Sequence, residues 1–154
     1  EVAELPAGEF QLMSAGRGIM HSEFNANPDK NLHFLQIWIE PDSVGGEPGY
    51  QQKPCAQTPG LTLVASKTGE AGSLHLKQDA KLYQLRLDAQ SQLQYQAAAG
   101  RKLYVHLVTG PLSLKSADTE ITLQDGDGVK IADLTDWQFV SGTQPVFALL
   151  FDLP

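Results

Sequence analysis

The sequence is poor in cysteine, in long apolar runs and in basic residues, and each shortage excludes a class of protein. Cys55 is the single cysteine among 154 residues, so no disulfide can form within the chain, and we expect a reducing, cytoplasmic location. No apolar run approaches the roughly 20 residues that a membrane-spanning helix needs, so we expect no membrane partner. Eleven basic residues against 18 acidic ones give a net charge of −7. Phosphate backbones repel such a chain, so we expect no nucleic-acid partner either.

Turn-forming residues and short alternating apolar stretches dominate what is present. Gly, Pro, Asn and Asp clusters recur about every 8–12 residues, a spacing that is typical of an all-β sandwich or barrel. No segment carries an apolar stripe of helical period over three turns. The sequence therefore predicts an all-β protein with strands near residues 9–13, 32–40, 61–65, 74–77, 82–87, 93–97, 103–108, 112–115, 129–131, 137–140 and 146–150.

The predicted strands divide the chain into two unequal domains. Residues 61–154 contain enough strands for one complete antiparallel sandwich or barrel. Residues 1–45 contain only three or four, too few to close a barrel, so we expect this first domain to be incomplete. Residues 46–60 are rich in Gly and Pro without a sustained period, and we interpret them as a connecting loop.

One strand-like stretch, residues 18–25, combines an imidazole and a carboxylate. With a strand period of two, Ile19, His21, Glu23 and Asn25 project to one face, and His21 lies about 6.6 Å from Glu23 along the strand. That spacing lets both side chains bind one metal ion, and a His with a carboxylate suits Fe, Mn, Zn or Ni. The alternative is a solvated, hydrogen-bonded pair, because two ligands alone make a weak site.

The other candidate residues have structural explanations. His33 alternates with apolar neighbours, which favours a hydrogen-bonded core or interface histidine. His75 and His106 sit among apolar strand residues, and neither has a partner at ligand spacing. The acidic residues at 125–128 suggest a calcium loop, but the later ligands of such a loop are absent and a hairpin turn explains them better.

Three blocks of the sequence resemble the pirin family. They are residues 6–25, with the core His21-Ser22-Glu23, then residues 32–41 and residues 48–52. His21 with Asn25 also fits the second cupin motif. The remainder, including residues 149–154, is more loosely similar to the C-terminal cupin domain of bacterial pirin-like quercetinases.

The resemblance implies a bicupin, two jelly-roll (double-stranded β-helix) barrels in tandem, with one divalent metal ion (Fe, Mn, Zn, Ni or Cu) in the N-terminal barrel. Family members are described as quercetin 2,3-dioxygenases, oxidoreductases that open a flavonol ring with O₂. Others are described as non-enzymatic regulatory proteins, and that alternative stays open. The family metal is held by three His and one Glu, of which two map onto His21 and Glu23. Glu23 is then a ligand, or the base that takes the flavonol proton.

This sequence departs from the family at the other two ligands, which belong to a His-x-His motif. No two of its four histidines are separated by one residue. We therefore expect that this chain lacks the first half of its metal-bearing barrel, binds little metal and is weakly active or inactive. Its uncovered strands should recruit strands from the second domain, pair with another copy, or be partly disordered before Leu32.

Overall fold

A computed structural model describes residues 3–132 and 136–154, and these residues form an almost entirely β protein. One short 3-10 turn, Glu70–Gly72, interrupts the strands. No helix in these two ranges has the length and apolar character needed to cross a bilayer. The strands are β1 (Glu9–Ser14), β2 (Gly49–Pro54), β3 (Gly60–Ser66), β4 (Leu74–His75), β5 (Lys81–Leu87), β6 (Gln92–Gln96), β7 (Lys102–Thr109), β8 (Leu112–Ser116), β9 (Thr119–Leu123), β10 (Gly128–Ile131), β11 (Asp136–Ser141) and β12 (Val146–Leu153).

Strands β3–β12 form a two-sheet barrel. The larger sheet has the order β10-β7-β12-β5-β3-β4, and the smaller one has the order β6-β11-β8-β9. Side chains alternate along each strand, so every second residue of β5, β7 and β12 faces the space between the sheets. Leu85, Val105, Leu114, Phe139 and Leu150 are fully buried there. This is the complete C-terminal barrel that the sequence predicts, in the two-sheet form that the family resemblance implies.

A separate two-stranded ribbon, β1–β2, packs against the outer face of the larger sheet. The two strands are antiparallel, with Gln11 opposite Gln52. Phe10 and Leu12 project from one face of β1 and pack against a second apolar cluster that includes Leu149 and Phe151 on the outside of the barrel. The alternate residues of the ribbon, Gln11 among them, point away from the barrel.

Residues 15–48 contain no strand, so the strands predicted over residues 18–25 and 32–40 are wrong. The physical reason is that an isolated strand is not stable without a paired neighbour, and none of the described residues pairs with this segment. Its large apolar side chains are accordingly uncovered. Eleven large apolar residues are exposed in the described chain, and all of them lie between Leu5 and Tyr50.

The other differences from the sequence-based prediction concern single strands and their ends. Strand β2 forms inside the Gly- and Pro-rich stretch interpreted as a connecting loop, and β9 was not predicted at all. The strand predicted over residues 74–77 ends at His75. The Gln-rich strand β6 is confirmed. The domain boundaries at residues 45 and 60 stay a prediction.

Candidate metal centre

His21 and Glu23, the two predicted metal ligands, lie in the irregular segment that follows β1. After β1 the chain turns through a hydrogen bond of 2.8 Å from Gly18 N to Ala15 O, and then runs without regular structure. Both side chains are exposed rather than enclosed in a barrel. The predicted strand face that joins them is therefore absent, and their alternation in sequence does not by itself bring them to one cavity.

Glu23 is held against the β1–β2 ribbon by Gln11, one of a linked set of polar side chains that the sequence reasoning missed. Gln11 Nε2 donates a hydrogen bond to Glu23 Oε1. The Tyr50 hydroxyl lies 3.2 Å from Gln11 Oε1 and 2.5 Å from Gln52 Oε1, and its single proton can serve one of them at a time. Gln52 Nε2 in turn donates to Glu9 Oε2 at 2.7 Å.

These four residues share the outward face of the β1–β2 ribbon, and we call them the ribbon polar face: Glu9, Gln11, Tyr50 and Gln52. The period-two spacing of Glu9 and Gln11, and of Tyr50 and Gln52, was visible in the sequence. What was missing was the pairing of β1 with β2, because residues 46–60 were interpreted as a loop. The ribbon polar face therefore exists only through a contact between segments about 40 residues apart.

The remaining histidines do not join His21. His33 is exposed in the irregular segment, so of the two predicted roles the core histidine is wrong and the interface histidine stays a prediction. His75 lies exposed on β4, where its backbone N–H donates to Gln51 Oε1 at 2.8 Å. His106 is half-buried on β7 and stacks on Tyr104, with ring centroids 6.4 Å apart.

The donor set near His21 is too small for a metal centre. Across residues 3–132 and 136–154, no three His, Cys, Asp or Glu side chains lie close enough together to hold a metal ion. A metal site with an open position for substrate takes three protein ligands or more. His21 and Glu23 are ligands of the right chemistry, but the described residues do not complete a site around them.

The acidic turn at residues 125–128 joins β9 of the smaller sheet to β10 of the larger one, so the predicted hairpin is wrong although a tight turn does form there. Gly110 N donates to Asp125 Oδ1 at 2.7 Å, and Gln124 N donates to Asp127 Oδ2 at 2.8 Å. Gly126 adopts a φ of 87°, which suits glycine. Asp127 thus caps a backbone amide of the turn itself, and Asp125 holds the turn to Gly110 after β7.

A buried polar cluster in the second barrel has a structural explanation as well. Asp152 on β12 accepts hydrogen bonds of 2.5 Å from both the Tyr95 hydroxyl and Arg101 Nε. Burial, followed by the Asp152 hydrogen bond and charge, raises the pKa of Tyr95 far above its usual value. Arg101 also pairs with Asp79 at 3.0 Å. Both Asp152 oxygens have donors, so this cluster ties the last strand to the loop before β7.

Two family models match the sequence. The one described as "Quercetinase C-terminal cupin domain" matches residues 63–153, and the one described as "Pirin" matches residues 1–39.

Individual relatives extend over nearly the whole chain. A protein named quercetin 2,3-dioxygenase from Escherichia coli (strain K12) is 37% identical over 151 residues, which are 98% of this chain and 63% of that protein. The crystal structure of YhhW from Escherichia coli superposes with a TM-score of 0.90 at 37% identity, and covers 97% of this chain and 62% of YhhW. A structure of YhhW in complex with nickel(II) gives a TM-score of 0.88 at 38% identity, with the same coverage of both chains. The chain thus spans less than two thirds of the length of these relatives.

Proposed function

The chain belongs to the pirin family of cupin proteins, and from that premise we propose that it functions in the metal-dependent 2,3-dioxygenation of a flavonol-like substrate by O₂. The observation that carries the proposal is the similarity over 98% of the chain to a protein named quercetin 2,3-dioxygenase. The cofactor we propose is one divalent metal ion, since a relative of the same fold is named as a nickel(II) complex.

We assign His21 and Glu23 as the two metal ligands that this chain contributes. An imidazole nitrogen and a carboxylate oxygen suit a divalent metal of the Ni, Fe, Mn or Zn type. Because the described residues supply no third donor, they do not fit the metal by themselves, and no chemical step is assigned through it. We therefore propose that the chain alone binds a divalent ion weakly and turns over slowly.

The ribbon polar face places polar side chains of this chain next to Glu23, where they can contact a substrate. Gln11 donates to Glu23 Oε1, which leaves Oε2 available. A carboxylate held in this way can accept the proton of a substrate hydroxyl as a general base. Gln52 Nε2 donates to both Glu4 O and Glu9 Oε2, and its Oε1 accepts from Tyr50, so Gln52 fixes the Tyr50 hydroxyl. The Tyr50 oxygen, next to Gln11, then offers an acceptor to a flavonol hydroxyl. We propose that Tyr50 orients the substrate, and that Glu23, when it is not bound to the metal, takes the proton.

Metal binding by matched variants tests the assignment. Ni(II) titrated into the 154-residue chain by calorimetry should bind, and His21→Ala and Glu23→Ala should each weaken the affinity by at least about tenfold. His75→Ala is the control, because this imidazole is also exposed but lies on β4 in the second barrel. Equal affinity in all three variants would refute the two ligands.

The activity itself is measured as oxygen-dependent loss of the visible absorption of quercetin, with and without Ni(II). Turnover that falls in the Glu23→Ala and His21→Ala variants, and persists in His75→Ala, supports the oxygenase. Metal binding that needs both residues, with no turnover under any condition, would instead favour the non-enzymatic regulatory module and overturn the proposed reaction.

A further inference from the structure

Strand β4 lies at one edge of the larger sheet and is paired with another strand on one side only. It runs parallel to β3, with His75 opposite Ser66. Leu76 N, one residue further on, donates to Ser66 O at 2.8 Å, on the β3 side. Because the backbone groups of successive residues in a strand point to opposite sides, the N–H and C=O of His75 point away from β3. No other strand of the described chain pairs with them.

The side-chain amide of Gln51 takes the place of a further strand at this edge. Gln51 Oε1 accepts a hydrogen bond of 2.8 Å from His75 N, and Gln51 Nε2 donates one of 3.0 Å to His75 O. A carboxamide carries an acceptor oxygen beside a donor N–H, so this one side chain satisfies both open backbone groups of His75. Since Gln51 lies on β2, the contact joins the ribbon to the second barrel. We call it the Gln51–His75 clamp.

The clamp fixes the strand that carries half of the ribbon polar face. Side chains alternate along β2, so Gln51 points to the second barrel while its neighbours Tyr50 and Gln52 point away from it. Lys53 lies on the same side of β2 as Gln51 and adds a second contact, because its Nζ donates to Gly72 O in the turn before β4. The backbone of Gln52 is therefore held from both sides, and that of Tyr50 from one.

We propose that Gln51 is a positioning residue, through which the second barrel holds Tyr50 and Gln52 next to the hydrogen-bonded pair of Gln11 and Glu23. The inference rests on the proposed function, because that function places these side chains at the substrate. It gives the second barrel a role although its interior is filled with apolar side chains. That barrel supports the ribbon, and the ribbon in turn presents its polar face.

The ribbon depends on this support because an isolated two-stranded hairpin is marginally stable at best in water. Phe10 and Leu12 bury apolar surface against the larger sheet, and the clamp adds two hydrogen bonds to that contact. The amides of β1 and β2 exchange with solvent when the ribbon leaves the sheet, so their exchange rate reports how firmly the ribbon is docked. Each hydrogen bond contributes a factor of roughly 2–12 to such an equilibrium.

Amide hydrogen exchange followed by NMR tests the clamp in the absence of metal and flavonol. Gln51→Ala should speed the exchange of β1 and β2 amides by at least about tenfold and leave those of β7 and β12 unchanged. Gln51→Glu should give a smaller increase, since its carboxylate still accepts from His75 N but donates nothing to His75 O. His75→Ala is the matched control, because the clamp uses only the backbone of His75. Gln94→Ala is a second control, which removes an exposed amide from β6 in the smaller sheet.

Two results of the exchange experiment would overturn the clamp. One is ribbon exchange in Gln51→Ala that equals the exchange in the unmodified chain. The other is an equal acceleration in β7 and β12, which would mean that the variant destabilises the whole barrel and that the ribbon is not released by itself.

Quercetin affinity tests the positioning of Tyr50. Quercetin is titrated in excess Ni(II) without O₂, so that binding is measured and no turnover occurs. Gln51→Ala should weaken the affinity by about fivefold in the unmodified chain and by less than about twofold in a Tyr50→Phe background, because the positioned hydroxyl is already absent there. Equal losses in both backgrounds would overturn the positioning role. Absence of quercetin binding by the unmodified chain would overturn the proposed function instead, and the exchange rates would still decide the clamp.

Discussion

Removing the guanidinium of Arg101 should cost the second barrel more stability than removing any exposed cation. Arg101 donates from Nε to Asp152 Oδ1 at 2.5 Å and from Nη2 to Asp152 O at 3.0 Å. The side chains of Arg101 and Asp152 are only 17% and 10% exposed. Arg101→Met keeps most of the side-chain volume while it leaves the Asp152 carboxylate buried without its cation.

The expected cost follows from that burial. Breaking a buried ion pair by removing one partner destabilises a protein by about 3–5 kcal/mol. Tyr95 still donates to Asp152 Oδ2 in the variant, so we expect the lower end, about 3 kcal/mol. Lys115→Met is the control, since the Lys115–Glu120 pair at 3.0 Å is 46% and 57% exposed. Exposed pairs contribute about 0–1 kcal/mol.

Urea unfolding followed by circular dichroism measures both variants, with the midpoint and slope fitted together. Replacing both charged partners, in Arg101→Met with Asp152→Asn, should recover part of the loss, because the uncompensated buried charge is gone. The reasoning is refuted if Arg101→Met lies within about 0.5 kcal/mol of Lys115→Met. It is equally refuted if the double variant is less stable than Arg101→Met alone.

Two further predictions concern the same barrel. The pKa of Tyr95 is raised in the folded state, whereas in the unfolded chain it has its ordinary value near 10.0. Above pH 10.0 unfolding therefore releases the Tyr95 proton, and the free energy of unfolding falls as the pH rises. Tyr95→Phe should remove up to about 1.4 kcal/mol per pH unit of that decline. The measurement compares urea midpoints at about pH 9 and about pH 11 for the two proteins. Parallel pH profiles of the variant and the unmodified chain would contradict a raised Tyr95 pKa. Gly110 has a φ of 83°, and a Cβ there would overlap the Pro145 carbonyl oxygen, so Gly110→Ala should lower stability by more than about 2 kcal/mol. Gly126→Ala, with a φ of 87° and no atom within 4 Å of its Cβ, should cost only about 1 kcal/mol, and equal losses would exclude the contact as the cause.

Sequence alone predicted the second barrel well because most of its strands are recognisable from their own apolar residues and flanking turns. Strand β7 buries alternate residues, β5 and β12 bury most of theirs, and the turn after β9 carries the Asp and Gly residues that tight turns need. Strand β9 was missed because its sequence mixes polar and apolar residues and only one of its side chains, Leu123, is buried. Such an edge strand is recognised by its pairing with β8 and not by its pattern.

The first domain shows where local pattern fails. Residues 32–40 have the composition of a strand, yet no described strand pairs with them and they stay irregular. Residues 49–54 have the composition of a loop, yet they form β2 because β1 offers an edge. In both cases the partner strand, not the propensity of the segment, decided the outcome.

By itself the sequence determined the all-β class, a C-terminal part with enough strands to close, and the chemistry of His21 and Glu23, because alternation and residue type are local properties. The cupin form of the barrel came from the family resemblance. Only the tertiary structure decided what surrounds those two side chains. It left both of them exposed, placed Gln11 on Glu23, and brought Tyr50 and Gln52 to the same face through the pairing of β1 with β2. The physical reason is that hydrogen bonds between strands and burial against a neighbouring sheet join residues that are distant in the chain, and no local pattern specifies which of them meet.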